Sequence, residues 1–260
     1  MVRRRPSPST RPAAPAALRR SSLREQVAEA LREEMMSGRL PAGRDFTVKQ
    51  VAEHYGVSAT PAREALVDLT AQGLLRVEHH RGFAVPVLGW EDFAEIVETR
   101  MMLADAALRR PDVRLGILDG ERLASVRRRA EAAHRAVRTG ELGVLVGCDR
   151  RFWAELAALL GTPRLCGYLD WLRVQAWMFA ASHLRGRTDL DQRLWTGQLE
   201  LIDRVEAGDR AGVLALLHAY SCAAVRLMAE LSGAGPAAAE RVTAALPGPP
   251  FPGPALPREA

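Results

Sequence analysis

The start and stop signals for helices between residues 22 and 88 constrain the fold of this chain more than any other feature. A capping-box spacing at Ser22 and Glu25 predicts the start of a first helix. Its apolar residues recur every four positions, at Leu23, Val27, Leu31 and Met35. That period puts them on one face, so we expect an amphipathic helix that ends near Gly38.

A second, shorter helix is expected after a turn over residues 40–43. Thr47 and Gln50 repeat the capping-box spacing, and the helical pattern continues to about Tyr55. The Gly-Val-Ser sequence at residues 56–58 then breaks it.

Thr60 followed by Pro61 predicts the start of a third helix. A threonine hydroxyl accepts a hydrogen bond from an orphan amide, and proline lacks the amide that would go unpaired. We expect this helix to run to Gly73. The β-favouring runs at residues 74–78 and 83–87 flank a His-His-Arg-Gly turn, which is typical of a β-hairpin.

From Trp90 onward the apolar periodicity is helical throughout. Six helices are predicted, at about 91–109, 117–139, 142–160, 163–184, 189–207 and 209–232. The fold class expected is therefore mainly α: an N-terminal winged helix-turn-helix of three helices plus a β-hairpin, followed by an all-α bundle of about six helices.

Four regions follow from these patterns. Residues 1–21 form an Arg/Pro-rich tail expected to be disordered, and residues 233–260 a flexible Pro/Gly/Ala-rich tail. Residues 22–88 are the predicted winged helix-turn-helix, and residues 89–232 the predicted sensing and dimerisation domain.

Composition excludes several classes of protein. With 48% apolar and 26% charged residues in 260, the chain has enough apolar sequence for real cores, which excludes a wholly disordered polymer. Cys148, Cys166 and Cys222 are too widely spaced for a disulfide scaffold or a thiolate zinc site. No uninterrupted apolar run reaches the roughly 18 residues of a membrane span, so we expect a cytoplasmic protein without membrane association.

The formal net charge of +5 belongs entirely to the N-terminal tail. Residues 1–21 carry six arginines and no acidic residue, whereas residues 22–88 carry eight basic and nine acidic residues. Binding of DNA by the folded part must therefore depend on local arrangement.

The third helix of a winged helix-turn-helix enters the major groove of double-stranded DNA. The second helix, the turn after it and the inner face of the third helix supply the residues of a small predicted core: Val51, Ala52, Val57, Ala65, Leu66 and Leu69. The polar residues left outside share one surface at the start of the third helix: Lys49, Ser58, Thr60 and Arg63. Amides at a helix start favour a phosphate, and an arginine one turn later reaches a guanine edge with two hydrogen bonds.

The sequences LREEMMSGRLPAG, VAEHYGVSATPAREALVDLTAQGLL and HHRGFAV resemble the N-terminal domain of the GntR family of bacterial transcription regulators. The resemblance implies operator DNA as the partner. The DNA contacts that it implies fall on Lys49, Thr60, Arg63, His79, Arg81 and Gly82. The arginine usual before the threonine is Ala59 here, which removes one contact.

The helical remainder resembles the ligand-binding domain of the FadR subfamily, many of whose members hold a divalent metal with one Asp and three His. The matching positions here are Asp149, Trp153, Gln198 and Tyr220. Indole offers no lone pair and a neutral phenol is a weak ligand, so we expect no metal and no other cofactor.

A polar effector pocket is expected in place of the metal site. Arg100, Asp149, Gln198 and Tyr220 would converge beside Trp153 inside an apolar bundle. Arg100 is suited to bind the carboxylate of an organic acid. A structural ion pair between Arg100 and Asp149 is an equally good interpretation of the same residues.

The sequence therefore predicts a homodimeric regulator that binds a pseudo-palindromic operator and is released from it by a small metabolite, most often acting as a repressor. One alternative is an interaction module that has kept the fold but lost sequence-specific DNA binding. A small-acid enzyme is the other, although no catalytic motif supports it.

Overall fold

The computed structural model describes residues 22–248, except residues 114 and 117. Three helices begin the described chain, α1 (Leu23–Met36), α2 (Val48–Tyr55) and α3 (Ala59–Ala71). Both predicted capping boxes are present, at the starts of α1 and α2. Gly56 ends α2 in the left-handed conformation, with a φ of 64° that favours a residue without a Cβ.

A three-stranded antiparallel sheet closes the N-terminal domain, with the order β1-β3-β2. The hairpin strands β2 (Arg76–Glu78) and β3 (Gly82–Ala84) are shorter than predicted. The sequence did not predict β1 (Asp45–Phe46), which pairs with β3 so that Asp45 lies opposite Ala84. The predicted small core is confirmed, with Val57 partly buried against it.

Eight helices make up the rest of the described chain. They are α4 (Trp90–Leu108), α5 (Gly120–Thr139), α6 (Leu142–Leu160), α7 (Pro163–Leu184), α8 (Leu190–Arg193), α9 (Gln198–Glu206), α10 (Arg210–Ser232) and α11 (Pro236–Ala245). The mainly α architecture is therefore confirmed.

Two predictions for the C-terminal half were wrong. The single helix expected over residues 189–207 is interrupted between α8 and α9, where Gly197 lies against the ring of Trp195. The expected flexible tail from residue 233 contains α11, which is held by burial of Ala238 and Ala239 and packs on α10. The tail predicted at residues 1–21 lies outside the described residues, as do residues 249–260.

Helix α10 is long and apolar enough to cross a membrane by length and composition alone. In the fold it packs against α4, α9 and α11. It buries Val213, Leu214, Val225 and Met228. About a third of its apolar window is therefore buried inside the fold.

The two domains share an interface formed by α1, α6 and α7. Val146, Val174 and Met178 of the helical domain are buried in the same apolar cluster as the core of the N-terminal domain. Arg150 bridges the interface by bonding Glu29 of α1 and Asp170 of α7. Helix α7 therefore contacts the DNA-binding domain directly.

Candidate DNA-binding surface and effector pocket

The start of α3 differs from the predicted one. Ser58 is the N-cap and Ala59 the first helical residue, so Thr60 and Pro61 lie inside the first turn. The Ser58 side chain makes no capping hydrogen bond. Because Pro61 has no amide, Ala59 and Thr60 carry the first-turn N–H groups that lack an intrahelical acceptor. This exposed helix start is suited to a phosphate.

The predicted polar side chains around that helix start are solvent-exposed. Ser58, Thr60 and Arg63 are exposed on α3, and Arg63 forms no ion pair with any residue that the structure describes. The Lys49 side chain on α2 is 84% exposed and lies 3.8 Å from Glu53. A free guanidinium one turn from the helix start matches the requirement for reading a base edge.

The turn between β2 and β3 forms the wing. His79, His80 and Arg81 are exposed there, and Arg81 lies 3.6 Å from Asp45. Gly82 has a φ of 101°, and a Cβ at this position would lie 2.6 Å from the Phe46 carbonyl oxygen. Packing of the sheet thus requires glycine at residue 82, independently of any DNA contact.

In the helical domain, Asp149 is the centre of a buried polar cluster. Its Oδ1 accepts a hydrogen bond from Trp153 Nε1 at 2.9 Å. Its Oδ2 accepts from Trp177 Nε1 at 2.8 Å and from an Arg173 guanidinium nitrogen at 3.0 Å. The carboxylate is 5% exposed and fully surrounded by donors, which offsets the cost of burying its charge.

Arg173 links this carboxylate to Tyr220. Its guanidinium donates to the Tyr220 hydroxyl at 3.1 Å and lies over the Trp153 ring, 4.5 Å from the ring centroid. Burial alone lowers the pKa of Arg173, but Tyr220 and Asp149 more than offset it, so the pKa is raised. Arg173 therefore remains positively charged inside the bundle.

Arg100 also lies beside Tyr220, with its Cζ 5.8 Å from the ring centroid. Burial lowers the pKa of Arg100 and the nearby charge of Arg173 lowers it further. No carboxylate oxygen of the described residues lies within ion-pair distance of Arg100. The alternative of an ion pair between Arg100 and Asp149 was wrong, because Arg173 occupies that position.

Arg173 was not predicted as a member of the cluster, although the sequence contains a signal for its burial. Residues 171–181 contain no other charged residue, and a lone cation in an apolar helix requires a buried partner. Trp177, four residues after Arg173 on the same helix, is a direct hydrogen-bond donor to Asp149.

Gln198 lies beside the cluster at the start of α9. Its Nε2 donates to the Trp195 carbonyl oxygen at 3.4 Å, while its buried Oε1 has no hydrogen-bond partner among the described residues. Trp195 packs on Tyr220, with ring centroids 5.1 Å apart.

Two cavities meet at the cluster and share Arg100, Arg173 and Tyr220 in their walls. The first, of about 100 Å³, is here called the alanine-lined cavity; Ala104, Ala107, Ala154, Ala157 and Trp153 are part of its wall. The second, of about 90 Å³, is here called the tryptophan-lined cavity; its wall includes Trp177, Trp195, Gln198 and Asp149. All five residues predicted for the effector site therefore line one cavity or both.

The residues present do not fit a divalent metal. Both oxygens of Asp149 accept hydrogen bonds, and the charge opposite them is the Arg173 guanidinium. Indole, amide and phenol groups at the other three positions supply no set of good metal donors. A guanidinium stands where a metal cation would compensate the carboxylate.

An exposed recognition helix with a wing, joined to a helical domain with internal cavities, defines the class of ligand-binding winged helix-turn-helix transcription regulators. Residues 23–85 match the gntR family of bacterial regulatory proteins, and residues 95–220 match the FCD domain. The chain belongs to the GntR family, and its FCD domain fits the FadR subfamily. It is a regulator and not an enzyme.

Curated relatives are regulators of the same type. The chain is 29% identical over 157 residues to the HTH-type transcriptional regulator McbR of Escherichia coli K12, covering 59% of this chain and 69% of the relative. It is 37% identical over 90 residues to the probable D-xylose utilization operon transcriptional repressor of Paenarthrobacter nicotinovorans, covering 35% of this chain and 40% of the relative.

Two solved structures share the fold. E. coli McbR/YncC superposes with a TM-score of 0.69 at 24% identity, over 81% of this chain and 99% of that chain. A putative transcriptional regulator GntR from Rhodococcus sp. RHA1 superposes with a TM-score of 0.62 at 22% identity, over 82% of this chain and 99% of that chain.

Proposed function

We propose that the protein is a cytoplasmic homodimer that represses transcription by binding a pseudo-palindromic operator. The free Arg63 guanidinium beside the unsatisfied amides of α3 carries this proposal. A two-fold dimer presents two such helices to equivalent half-sites, so their separation determines operator affinity. Lys49, Ser58 and Thr60, with His79 and Arg81 on the wing, supply further contacts.

We further propose that a small organic anion releases the protein from its operator. The effector site comprises the predicted Arg100, Asp149, Trp153, Gln198 and Tyr220, together with Arg173. An anion suits this site because two guanidiniums face one buried carboxylate.

Helix α7 is the proposed link between the pocket and the DNA-binding surface. Arg173 and Trp177 on this helix bond to Asp149, while Trp171, two residues before Arg173, bonds to the N-terminal domain. The Trp171 Nε1 donates to the carbonyl oxygen of Gln72, the C-cap of α3, at 2.6 Å. A ligand that moves Arg173 therefore acts on the end of the recognition helix, provided that it binds the two arrangements with different affinity.

Fluorescence anisotropy with labelled duplexes from the DNA flanking its own gene tests this function. We expect specific binding that weakens steeply with salt, since phosphate contacts release counterions. Arg63→Ala should weaken binding roughly 5- to 100-fold, the range of one bidentate base contact. Arg135→Ala is the matched control, because Arg135 is exposed on α5 and pairs only with Glu131 among the described residues.

Absent or salt-insensitive binding to every duplex would instead support an interaction module without DNA binding. Equal losses for Arg63→Ala and Arg135→Ala would show that binding is a general effect of positive charge. Either result contradicts base reading by α3.

A further inference from the structure

The polar cluster carries one positive charge in excess. Arg100 and Arg173 flank the Tyr220 ring at 5.8 and 5.9 Å from its centroid, and Asp149 is the only carboxylate among the described residues that bonds either of them. The two cavities differ in their other charged residues, because the wall of the tryptophan-lined cavity also contains Arg193, which is paired with Glu230. Asp149 lines the tryptophan-lined cavity and is absent from the wall of the alanine-lined one.

A second carboxylate lines the alanine-lined cavity, but its charge is already compensated. Asp170 accepts hydrogen bonds from Arg150 on both oxygens, at 2.9 and 3.0 Å. The two guanidiniums of the cluster therefore give this cavity a positive end that calls for one negative charge.

Beyond that end, the alanine-lined cavity is apolar. Alanines and leucines of α4, α6 and α7 supply about half of the residues in its wall. Hydroxyl groups bound against this apolar wall would lose hydrogen bonds to water, which favours an apolar ligand body over a sugar acid.

We propose that the effector is a small monocarboxylate with an apolar body, bound with its carboxylate between Arg100, Arg173 and Tyr220 and its body in the alanine-lined cavity. This inference rests on the proposed function for its regulatory meaning, but not for the binding itself. It assigns contact with the ligand to Arg100, Arg173 and Tyr220. Asp149 bonds Arg173 and orients it, and both Asp149 and Gln198 lie in the wall of the other cavity.

Binding to the full-length protein without DNA tests the proposal directly. Trp153 lies in the cavity wall and gives an intrinsic fluorescence signal, with isothermal calorimetry as the second measurement. The probes are butyrate, pentanoate, hexanoate and benzoate, each against its primary amide, with gluconate and succinate as polar acids. We expect affinity to rise roughly fourfold per added methylene and the amides to bind at least tenfold more weakly than the acids.

Two variants locate the site. Arg100→Gln should weaken hexanoate binding roughly 10- to 100-fold. The substitution breaks no ion pair among the described residues. Ala104→Leu fills the apolar part of the cavity, so it should abolish the gain from butyrate to hexanoate while butyrate still binds. Arg135→Ala serves again as the matched control. Arg173→Gln is avoided because it leaves Asp149 buried and unpaired.

Equal binding of acids and amides, tighter binding of gluconate or succinate, or no dependence on Ala104→Leu would each overturn the proposal. Absence of binding by all monocarboxylates would also overturn it. The operator experiment with Arg63→Ala remains independent of these outcomes, so a protein that binds DNA but none of the probes would retain the proposed function and lose only this inference.

Discussion

The DNA-binding surface and the effector cluster both depend on arginine, but they use it in opposite ways. Arg63 is exposed and forms no ion pair with a described residue, so its charge is available to a partner. Arg173 is 5% exposed and bonds Asp149 and Tyr220. An exposed guanidinium costs the fold nearly nothing, whereas a buried one must be matched by a carboxylate in the same interior.

Because of this difference, substitutions in the buried cluster should affect stability, whereas substitutions on the DNA-binding surface should affect function. Charges of the DNA-binding surface can be removed without loss of packing. Charges of the cluster hold α6, α7 and α10 together, because Asp149, Arg173 and Tyr220 lie on those three helices.

The largest effect is expected for Asp149→Asn. The substitution leaves the Arg173 charge without its carboxylate and should lower the free energy of unfolding by about 3 kcal/mol. Urea denaturation followed by far-UV circular dichroism measures it. Glu131→Gln breaks the exposed pair with Arg135 and should cost less than about 1 kcal/mol. Similar losses of unfolding free energy in the two variants would contradict the expected difference between buried and exposed arginine.

Trp171→Phe tests the connection between the two regions. It removes the hydrogen bond to the Gln72 carbonyl oxygen and keeps most of the apolar contact. Operator affinity without ligand should change less than about threefold, but the shift in operator affinity caused by saturating hexanoate should shrink by at least half on a logarithmic scale. Anisotropy titrations with and without hexanoate measure both quantities.

Tyr168→Phe is the control for this experiment, since Tyr168 is 63% exposed on the same helix. An unchanged hexanoate shift in Trp171→Phe would show that the signal does not pass through the end of α3.

The smallest effects are expected for alanine substitutions of the two N-cap serines, Ser22 and Ser58. Ser22 accepts a hydrogen bond from the Glu25 amide, so Ser22→Ala should cost about 1 kcal/mol of stability and leave operator affinity unchanged. Ser58 makes no capping bond, so Ser58→Ala should change stability by less than about 0.5 kcal/mol while weakening operator binding. Thermal unfolding and anisotropy on the same samples compare them. The reverse pattern would mean that Ser58 caps α3 in solution.

Much of the N-terminal domain could be predicted because its signals are local. The capping boxes at Ser22 and Thr47 and the left-handed Gly56 each involve residues within one helical turn. The start of α3 was misplaced because Ser58 and Thr60 are both good N-cap residues, and local preference did not distinguish them. Strand β1 was missed because two residues carry no periodicity and depend on β3 for pairing.

The buried polar cluster around Asp149 was predicted in part. The family resemblance identified Asp149 and Tyr220, and the structure places both at the cluster. It could not identify Arg173 as their partner, because this residue has no place in the metal-binding pattern that guided the comparison. The interruption between α8 and α9 was likewise hidden by a helical pattern that continues through it.

The sequence alone predicts the order of helices and wing, a DNA-binding surface and the absence of good metal ligands at the family's metal positions, since these follow from neighbours along the chain and from side-chain chemistry. Tertiary packing decides which cation compensates Asp149, which residues line the two cavities and how α7 reaches α3. These outcomes depend on how helices distant in sequence pack together. A buried charge needs a partner of opposite charge, and packing determines which helix lies close enough to supply it.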